Sequence, residues 1–538
     1  MTLTPNDALI HQAQTRPNDT AFVFHDVVWT YQKLATEAER LARALAARGV
    51  ASGDRVAVHM MNRPEFIVAY HACFRLGAIV APLRTAFTLG ELGPILQRIE
   101  PTLYLGEVGL YGNVAGVDAK LLPPSRRFVL DGAKEDDKDD RGFQPWEALF
   151  AGSKDAVLLP PEQDKPCVLI TTSGTTGQPK FVMHTPATLA ATVDLMITHW
   201  DISGRDSIVM PLALAHASGL VCMSWYLRLG APFVLQESFD ADKMLDAMAR
   251  HGATVSIGFP AQYAALVEAQ QKRRRDLGKL RFCLVGGDSC PIGLQERVTS
   301  LFGAPLYNLW GASEVIGQLV YALRPGPVVR IINGAQVRLI DEQGNDVAQD
   351  EIGELLVRGD NVFKGYWNDE KATASALRDG WYHTGDLMRR IGGDELWFVS
   401  RKKDIIIRGG TNISPVEIEE AIVAAHPAVE QAAVVGLPDE VLGQRVFAFA
   451  TLSGTATEDK VMADLVCTLS QRLAAYKMPE AIMVVDTMPR NALSKVDRQK
   501  LLAMAIQADR DQHAPAPARL IPVAKPIAVQ PALRTASR

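Results

Sequence analysis

The chain has 538 residues, 48% of them hydrophobic and 22% charged, enough apolar chain for more than one core. A net charge of −5 offers no basic footprint, which argues against nucleic acid as a partner. Six cysteines (Cys73, Cys167, Cys222, Cys283, Cys290 and Cys467) show no CxxC spacing. Neither a disulfide framework nor a zinc site is expected, and reduced thiols in a cytoplasmic setting fit best.

Met1-Thr-Leu-Thr-Pro-Asn-Asp7 has no basic stretch leading into an apolar run, so no secretion signal is expected. From Tyr31 to Arg48, Leu34, Ala38, Leu41 and Leu45 share one helical face, and Gly49 ends the helix. Arg55-Val-Ala-Val-His59 reads as a strand, and a second helix follows from Pro64 to Leu76. Asp131 to Arg141 is dense in charge and reads as a solvated loop. Ile208 to Leu227 carries no Asp, Glu, Lys or Arg, long enough for a membrane span. Pro211, His216, Ser218, Gly219 and Ser224 interrupt it, so a buried strand, loop and helix are predicted instead of an integral membrane segment. Apolar runs at Cys167–Ile170, Thr254–Ile257 and Phe282–Val285 alternate with helical patterns, which predicts α/β architecture with largely parallel sheets. Lys272-Arg-Arg-Arg275 closes a predicted helix; it suits the negative end of the helix dipole or, on a sharper reading, a phosphate of a large cofactor.

The texture changes near Arg401, where a domain boundary is placed: residues 1–400 form one domain and 401–510 a second. The stretch 511–538 is rich in Ala and Pro without periodicity and is expected to be disordered.

Thr171-Thr-Ser-Gly-Thr-Thr-Gly-Gln-Pro-Lys180 follows the apolar run Cys167–Ile170. Its glycines let backbone N–H groups approach a polyanion, its hydroxyls donate further hydrogen bonds, and Lys180 supplies positive charge. The spacing is not that of a Walker A loop. By composition alone an ordinary Ser/Thr/Gly turn stays open.

Thr172-Ser-Gly-Thr-Thr-Gly-Gln-Pro-Lys180 resembles the signature loop of the adenylate-forming superfamily, which includes acyl-CoA synthetases, nonribosomal peptide adenylation domains and luciferases. Further motifs follow in that superfamily's order to about residue 502. The resemblance assigns Thr172, Ser173, Gly174, Thr175, Thr176, Gly177 and Lys180 to ATP phosphates, and Gly286-Gly287-Asp288 to a turn against the adenine. Asn308-Leu-Trp-Gly-Ala-Ser-Glu314 is similar to the aromatic motif of the family. It implies that Asn308, Trp310, Gly311, Ala312 and Ser313 line the nucleotide and that Glu314 holds Mg²⁺, a cation that prefers oxygen ligands. Asp386, in Tyr382-His-Thr-Gly-Asp386, and Arg401 resemble the ribose-binding pair, and Lys403 falls at the family's hinge.

Gly409 and Gly410, ahead of Asn412-Ile-Ser-Pro-Val-Glu-Ile-Glu419, most resemble acyl-CoA synthetases, where this element lines the pantetheine path of CoA. Lys495 matches the catalytic lysine and His216 the residue beside the acyl carboxylate. The acyl pocket implied is His216, Trp225, Phe259, Tyr263, Trp310 and Ile316, which suits an apolar aryl, alicyclic or medium alkyl acid. Departures from the family pattern are Phe181, Ser400, Ser494, Trp310 and two residues added between Pro211 and His216.

The resemblance implies a large N-terminal α/β domain with a distorted β-barrel and a small mobile α+β C-terminal domain. It implies a two-step acid–CoA ligase using ATP, Mg²⁺ and CoA. Two alternatives remain: an adenylating ligase that loads a separate carrier protein, and a nucleotide-binding regulator without catalysis.

Overall fold

Thr30 accepts a hydrogen bond from the Lys33 amide and caps the helix Tyr31–Ala47. Leu34, Ala38, Leu41 and Leu45 of that helix are all buried, as their spacing requires. The next helix, Pro64–Leu76, has proline at its first position and stops at Gly77 in the left-handed conformation. The structure is a computed structural model that describes residues 3–131, 142–152, 158, 161–172, 179–287, 290–321, 328–332, 334–453, 458–491, 495–512 and 520–522. Ser173, Gly174, Thr175, Thr176, Gly177, Asp288 and Ser494 lie outside the described residues, as do 132–141 of the charged stretch.

The chain divides into two units, one of Met1–Cys290, Leu294–Thr384 and Arg389–Trp397, the other of Pro291–Gly293, Gly385–Met388 and Phe398–Arg538. The large unit holds a seven-stranded sheet and a fourteen-stranded one. In the smaller sheet, Leu103–Glu107, Arg55–His59, Ile79–Pro82 and Val168–Thr172 run parallel, and Lys180–His184 adds antiparallel to the last. Crossover helices bury both faces of such strands, hence their unbroken apolar runs. The long sheet has the parallel centre Ile208–Met210, Val255–Gly258, Phe282–Gly286 and Leu306–Ala312. The charge-free stretch is a strand, Ile208–Met210, a loop and a helix, Ala217–Leu229. Among the described residues no helix is long and apolar enough to cross a membrane.

One expectation is corrected. The strands between Val328 and Arg401 form no closed barrel among the described residues. Glu395–Arg401 pairs with Val328–Ile331, whose other neighbour is Gly317–Tyr321. The segment therefore continues the hydrogen-bonded edge of the long sheet rather than closing on itself.

The small unit is built on a six-stranded sheet. Its longest pair, Val429–Asp439 and Gly443–Leu452, alternates sides: Val446, Ala448 and Ala450 pack with Ile418, Ile422, Leu465 and Leu469, whereas Phe447 and Phe449 pack with Leu501 and Ala505. Two helices, Pro415–Ala425 and Glu458–Arg472, thus cover one face, and Arg498–Gln512 covers the other. The last helix runs to Gln512, and Leu520–Pro522 pairs with Ala481–Val484. A short apolar run can add to a sheet edge without internal periodicity. The other tail residues lie outside the described ones.

Two of the four basic residues at Lys272–Arg275 are paired within the fold. The helix ends at Lys272, and Arg273 and Arg275 pair with Asp246 at 2.6 and 3.0 Å, tying this corner to the helix Ala241–His251.

Candidate active site

Both feet of the candidate phosphate loop are fixed. Thr172 and Lys180 face each other in the register of the antiparallel pair, so residues 173–179 connect two hydrogen-bonded strands. Arg84 donates to the Thr171 carbonyl at 3.2 Å, and Arg98 donates to the Pro179 carbonyl while lying over the Phe181 ring. Phe181, which departs from the family pattern, is therefore a buried packing partner at the loop's far end.

Lys180 leads into the metal candidate. Its ammonium lies 4.7 Å from the centre of the Tyr366 ring, within cation–π range. The Tyr366 hydroxyl donates to Glu314 Oε1 at 2.8 Å, and the Phe363 amide donates to the Glu314 carbonyl at 2.7 Å. Burial, then the neighbouring Glu314 charge, holds the Tyr366 phenol well above its usual range, so it stays a donor. His184 Nε2 lies 2.7 Å from the Ser313 carbonyl. A carbonyl only accepts, so Nε2 carries the proton. Burial pushes His184 down to about 4, which keeps it neutral at pH 7.

Glu314 sits in a turn, not at a helix start: Ser313–Ile316 joins the strands Leu306–Ala312 and Gly317–Tyr321. Ile316 is fully buried with φ +35°, an outlier for a β-branched residue. Such strain costs on the order of 1–3 kcal/mol and persists where surrounding packing fixes it. Asn361 supports this turn from the next segment by donating to the Val315 carbonyl at 3.3 Å.

A carboxylate offers two oxygens and about four acceptor positions. Tyr366 uses one position on one oxygen, so Glu314 retains the donor chemistry that a hard, oxygen-seeking cation needs. Among the described residues no three His, Cys, Asp or Glu cluster as a metal cage. Magnesium held by one carboxylate plus substrate phosphates requires no such cage.

The acid-pocket candidates fall into two sets. His216 is the N-cap of the helix Ala217–Leu229, its Nδ1 2.7 Å from Ser218 Oγ, and its ring stands edge-on to Phe259 at 5.9 Å. A Cβ on Gly287 would come within 2.8 Å of the Phe259 ring, so His216, Phe259 and Gly287 form one contiguous wall. Gly286 ends its strand in register with Leu309, one residue from Asn308 and Trp310. Tyr263 and Trp225 lie deeper. Tyr263 belongs to the core with Met244, Val298 and Phe302, and its hydroxyl meets Ser256 at 3.1 Å. Trp225 is buried edge-on to Tyr226.

The remaining candidates lie in the small unit or at its boundary. Asp386 Oδ1 and Arg401 Nε are 3.6 Å apart, and the Lys402 amide donates to the Gly385 carbonyl. Lys403 is exposed in the turn that follows. Gly409 and Gly410 have φ of +56° and +81° and join the paired strands Ile406–Arg408 and Thr411–Ile413. A two-residue hairpin turn with both φ positive explains the glycine pair locally. Lys495 closes another tight turn: the Asn491 amide donates to its carbonyl at 2.9 Å, and its own amide donates to Asn491 Oδ1 at 3.2 Å.

Tyr366, His184, Arg84 and Arg98 had no sequence signal. Each acts on a residue at least 81 positions away except Tyr366, which acts across 52, and no local pattern encodes such pairs.

The AMP-binding enzyme family matches residues 9–367, and the AMP-binding enzyme C-terminal domain matches residues 417–495. The sequence is 34% identical to indoleacetate–CoA ligase of Aromatoleum aromaticum, over 90% of this chain and 94% of that protein. It is 31% identical to a feruloyl-CoA synthase of an Amycolatopsis species, over 90% of this chain and 96% of that protein. The solved structure of o-succinylbenzoate coenzyme A synthetase from Bacillus subtilis, in complex with ATP and magnesium ion, matches with a TM-score of 0.78 at 28% identity. That match covers 92% of this chain and 98% of the other.

Proposed function

This chain belongs to the AMP-binding enzyme family, and on that premise we propose that it is an ATP-dependent acid–CoA ligase acting on an apolar, aromatic acid. The observation that carries the reading is the Lys180–Tyr366–Glu314 arrangement, which sets a carboxylate beside one foot of the phosphate loop. Named relatives that ligate indoleacetate and form feruloyl-CoA support both the CoA acceptor and the aromatic acid.

In the first half-reaction a carboxylate oxygen of the acid attacks the α-phosphorus of ATP. The bond to pyrophosphate breaks, giving acyl-AMP. Two anions must approach, so positive charge held at the reacting centre lowers the barrier. Lys495 takes that role, and Lys180 with the loop's backbone and hydroxyls holds the phosphates. Glu314 would hold Mg²⁺, which supplies neutralisation of phosphate charge. Asp386, with Arg401 beside it, accepts from the ribose hydroxyls. The adenine would rest against Gly286–Gly287 and Trp310, and the acid against His216 and Phe259.

In the second half-reaction the CoA sulfur attacks the acyl carbon, and the bond to AMP breaks. A hinge at Lys403 lets residues from 401 onward serve both steps, with the Gly409–Gly410 turn against the pantetheine arm. Six free cysteine thiols suit a reducing, cytoplasmic compartment.

AMP release measured with ATP, Mg²⁺ and CoA across a panel of carboxylic acids tests the reading. Acid-dependent AMP and acyl-CoA in equal amounts are expected, with aromatic acids preferred. Acid-dependent pyrophosphate exchange without acyl-CoA would instead indicate a carrier-protein thiol. No exchange with any acid would leave a nucleotide-binding regulator.

A further inference from the structure

The loop that delivers His216 is held from a different sheet. Leu212, Leu214 and Ala215 are buried, and Ala213 between them is exposed. Asn62 lies between the strand Arg55–His59 and the helix Pro64–Leu76, both of the seven-stranded-sheet region. Its Nδ2 donates to the carbonyls of Leu212 and Gln236 at 2.9 and 3.0 Å, and its Oδ1 accepts from the Leu214 amide at 2.8 Å. The Tyr70 hydroxyl, on the same helix, donates to the Leu214 carbonyl at 2.8 Å. Leu214 therefore has both backbone groups satisfied by side chains of the loop and helix that follow the strand Arg55–His59. Buried backbone groups must be paired, so this bonding fixes the loop's path.

Downstream the path is equally constrained. The His216 amide donates to the Ala213 carbonyl at 2.9 Å. A Cβ at Gly219 would fall 2.2 Å from that same carbonyl oxygen, so the loop lies directly on the first turn of the helix Ala217–Leu229. His216 then meets Phe259, and Phe259 meets Gly287. Leu214 lies two residues before His216.

We propose that Asn62 and Tyr70 are positioning residues that set the acid-binding wall by clamping Leu212–Leu214, and so govern which acids the enzyme accepts. This rests on the assignment of His216 and Phe259 to the acid. The loop between the strand Ile208–Met210 and the helix Ala217–Leu229 needs such a clamp because its residues keep freedom that the strand and helix ends do not remove.

The test compares wild type with Tyr70→Phe, which deletes one hydroxyl, and Asn62→Ala, which deletes three hydrogen bonds. Hydrogen exchange of the 212–216 amides should accelerate by about tenfold or more in Asn62→Ala, while the amides of Phe233–Leu235 stay protected. Steady-state kinetics should show KM for the preferred acid rising about tenfold in Asn62→Ala and about threefold in Tyr70→Phe, with KM for ATP unchanged and the ranking of acids altered. A parallel rise in both KM values, or unaltered exchange at 212–216, overturns the proposal. If Asn62→Ala fails to fold, Tyr70→Phe alone decides it by the same two readouts. Wild-type protein without acid-dependent turnover would refute the ligase reading instead, and exchange would still decide whether the clamp exists.

Discussion

In the large unit, His59, His71 and His184 are enclosed by packing, and burial pushes each down to about 4. In the small unit burial acts on a carboxyl, and Glu420, beside Glu419 and Glu417, is pushed up to about 7. The same desolvation therefore gives opposite signs, because it disfavours whichever form is charged. The two units also hold their reactive candidates differently. Glu314 is fixed by a side-chain hydroxyl and a backbone amide reaching it from 49 to 52 residues away, whereas Lys495 is set by a turn closed on Asn491. The candidate metal carboxylate is placed by long-range contacts, and the candidate lysine by contacts local in sequence.

Removing each candidate sharpens this contrast. Lys495→Ala should cut adenylation by roughly 10²–10³, as for loss of one oriented transition-state donor, while thioester formation from supplied acyl-adenylate largely survives. Equal loss in both half-reactions would break the distinction. Glu314→Gln should lower adenylation by about 10² and shift the Mg²⁺ titration to higher concentration; an unchanged titration would remove Glu314 as the ligand. Tyr366→Phe should cost about tenfold by the same titration, since it loosens the carboxylate without removing it.

The acid response separates the units more gently. For the three histidines the folded value lies below the unfolded one, so the unfolded state binds more protons between about pH 6.5 and 4. Stability of the large unit should fall as pH drops through that window, by up to about 1.4 kcal/mol per pH unit for each histidine. Calorimetry of the full chain should show its transition moving down from pH 7 to 5, and His71→Phe should remove about one proton from the slope. Glu420 has its folded value raised, so its contribution is present at low pH and is lost as pH rises toward 7. Glu420→Gln should flatten that opposing trend in the small unit's transition; an identical slope in the variant would show that the carboxyl is already neutralised some other way.

Much of the architecture was legible locally. The helices Tyr31–Ala47 and Pro64–Leu76 follow from apolar period and from Thr30, Pro64 and Gly77 at their ends. Gly409–Gly410 is legible as a turn because only φ-positive residues close that hairpin. The barrel was not, because whether a run of strands closes on itself depends on which edge Glu395–Arg401 meets. Nor was the depth of Tyr263, whose aromatic character suits a pocket and a core equally.

By itself the sequence determined the α/β alternation, the order of the phosphate loop, Glu314, Asp386, Arg401 and Lys495, and through that order the family. Short-range period and motif spacing suffice for these. Tertiary structure decided what holds those residues: Arg84 and Arg98 on the feet of the phosphate loop, Tyr366 on Glu314, His184 on Ser313, and Asn62 with Tyr70 on the loop before His216. The loop that resembles the family's phosphate loop is held at its two ends by two arginines outside any motif. Hydrogen bonds between distant segments form only where folding brings a donor to a carbonyl, and nothing in either segment alone names its partner.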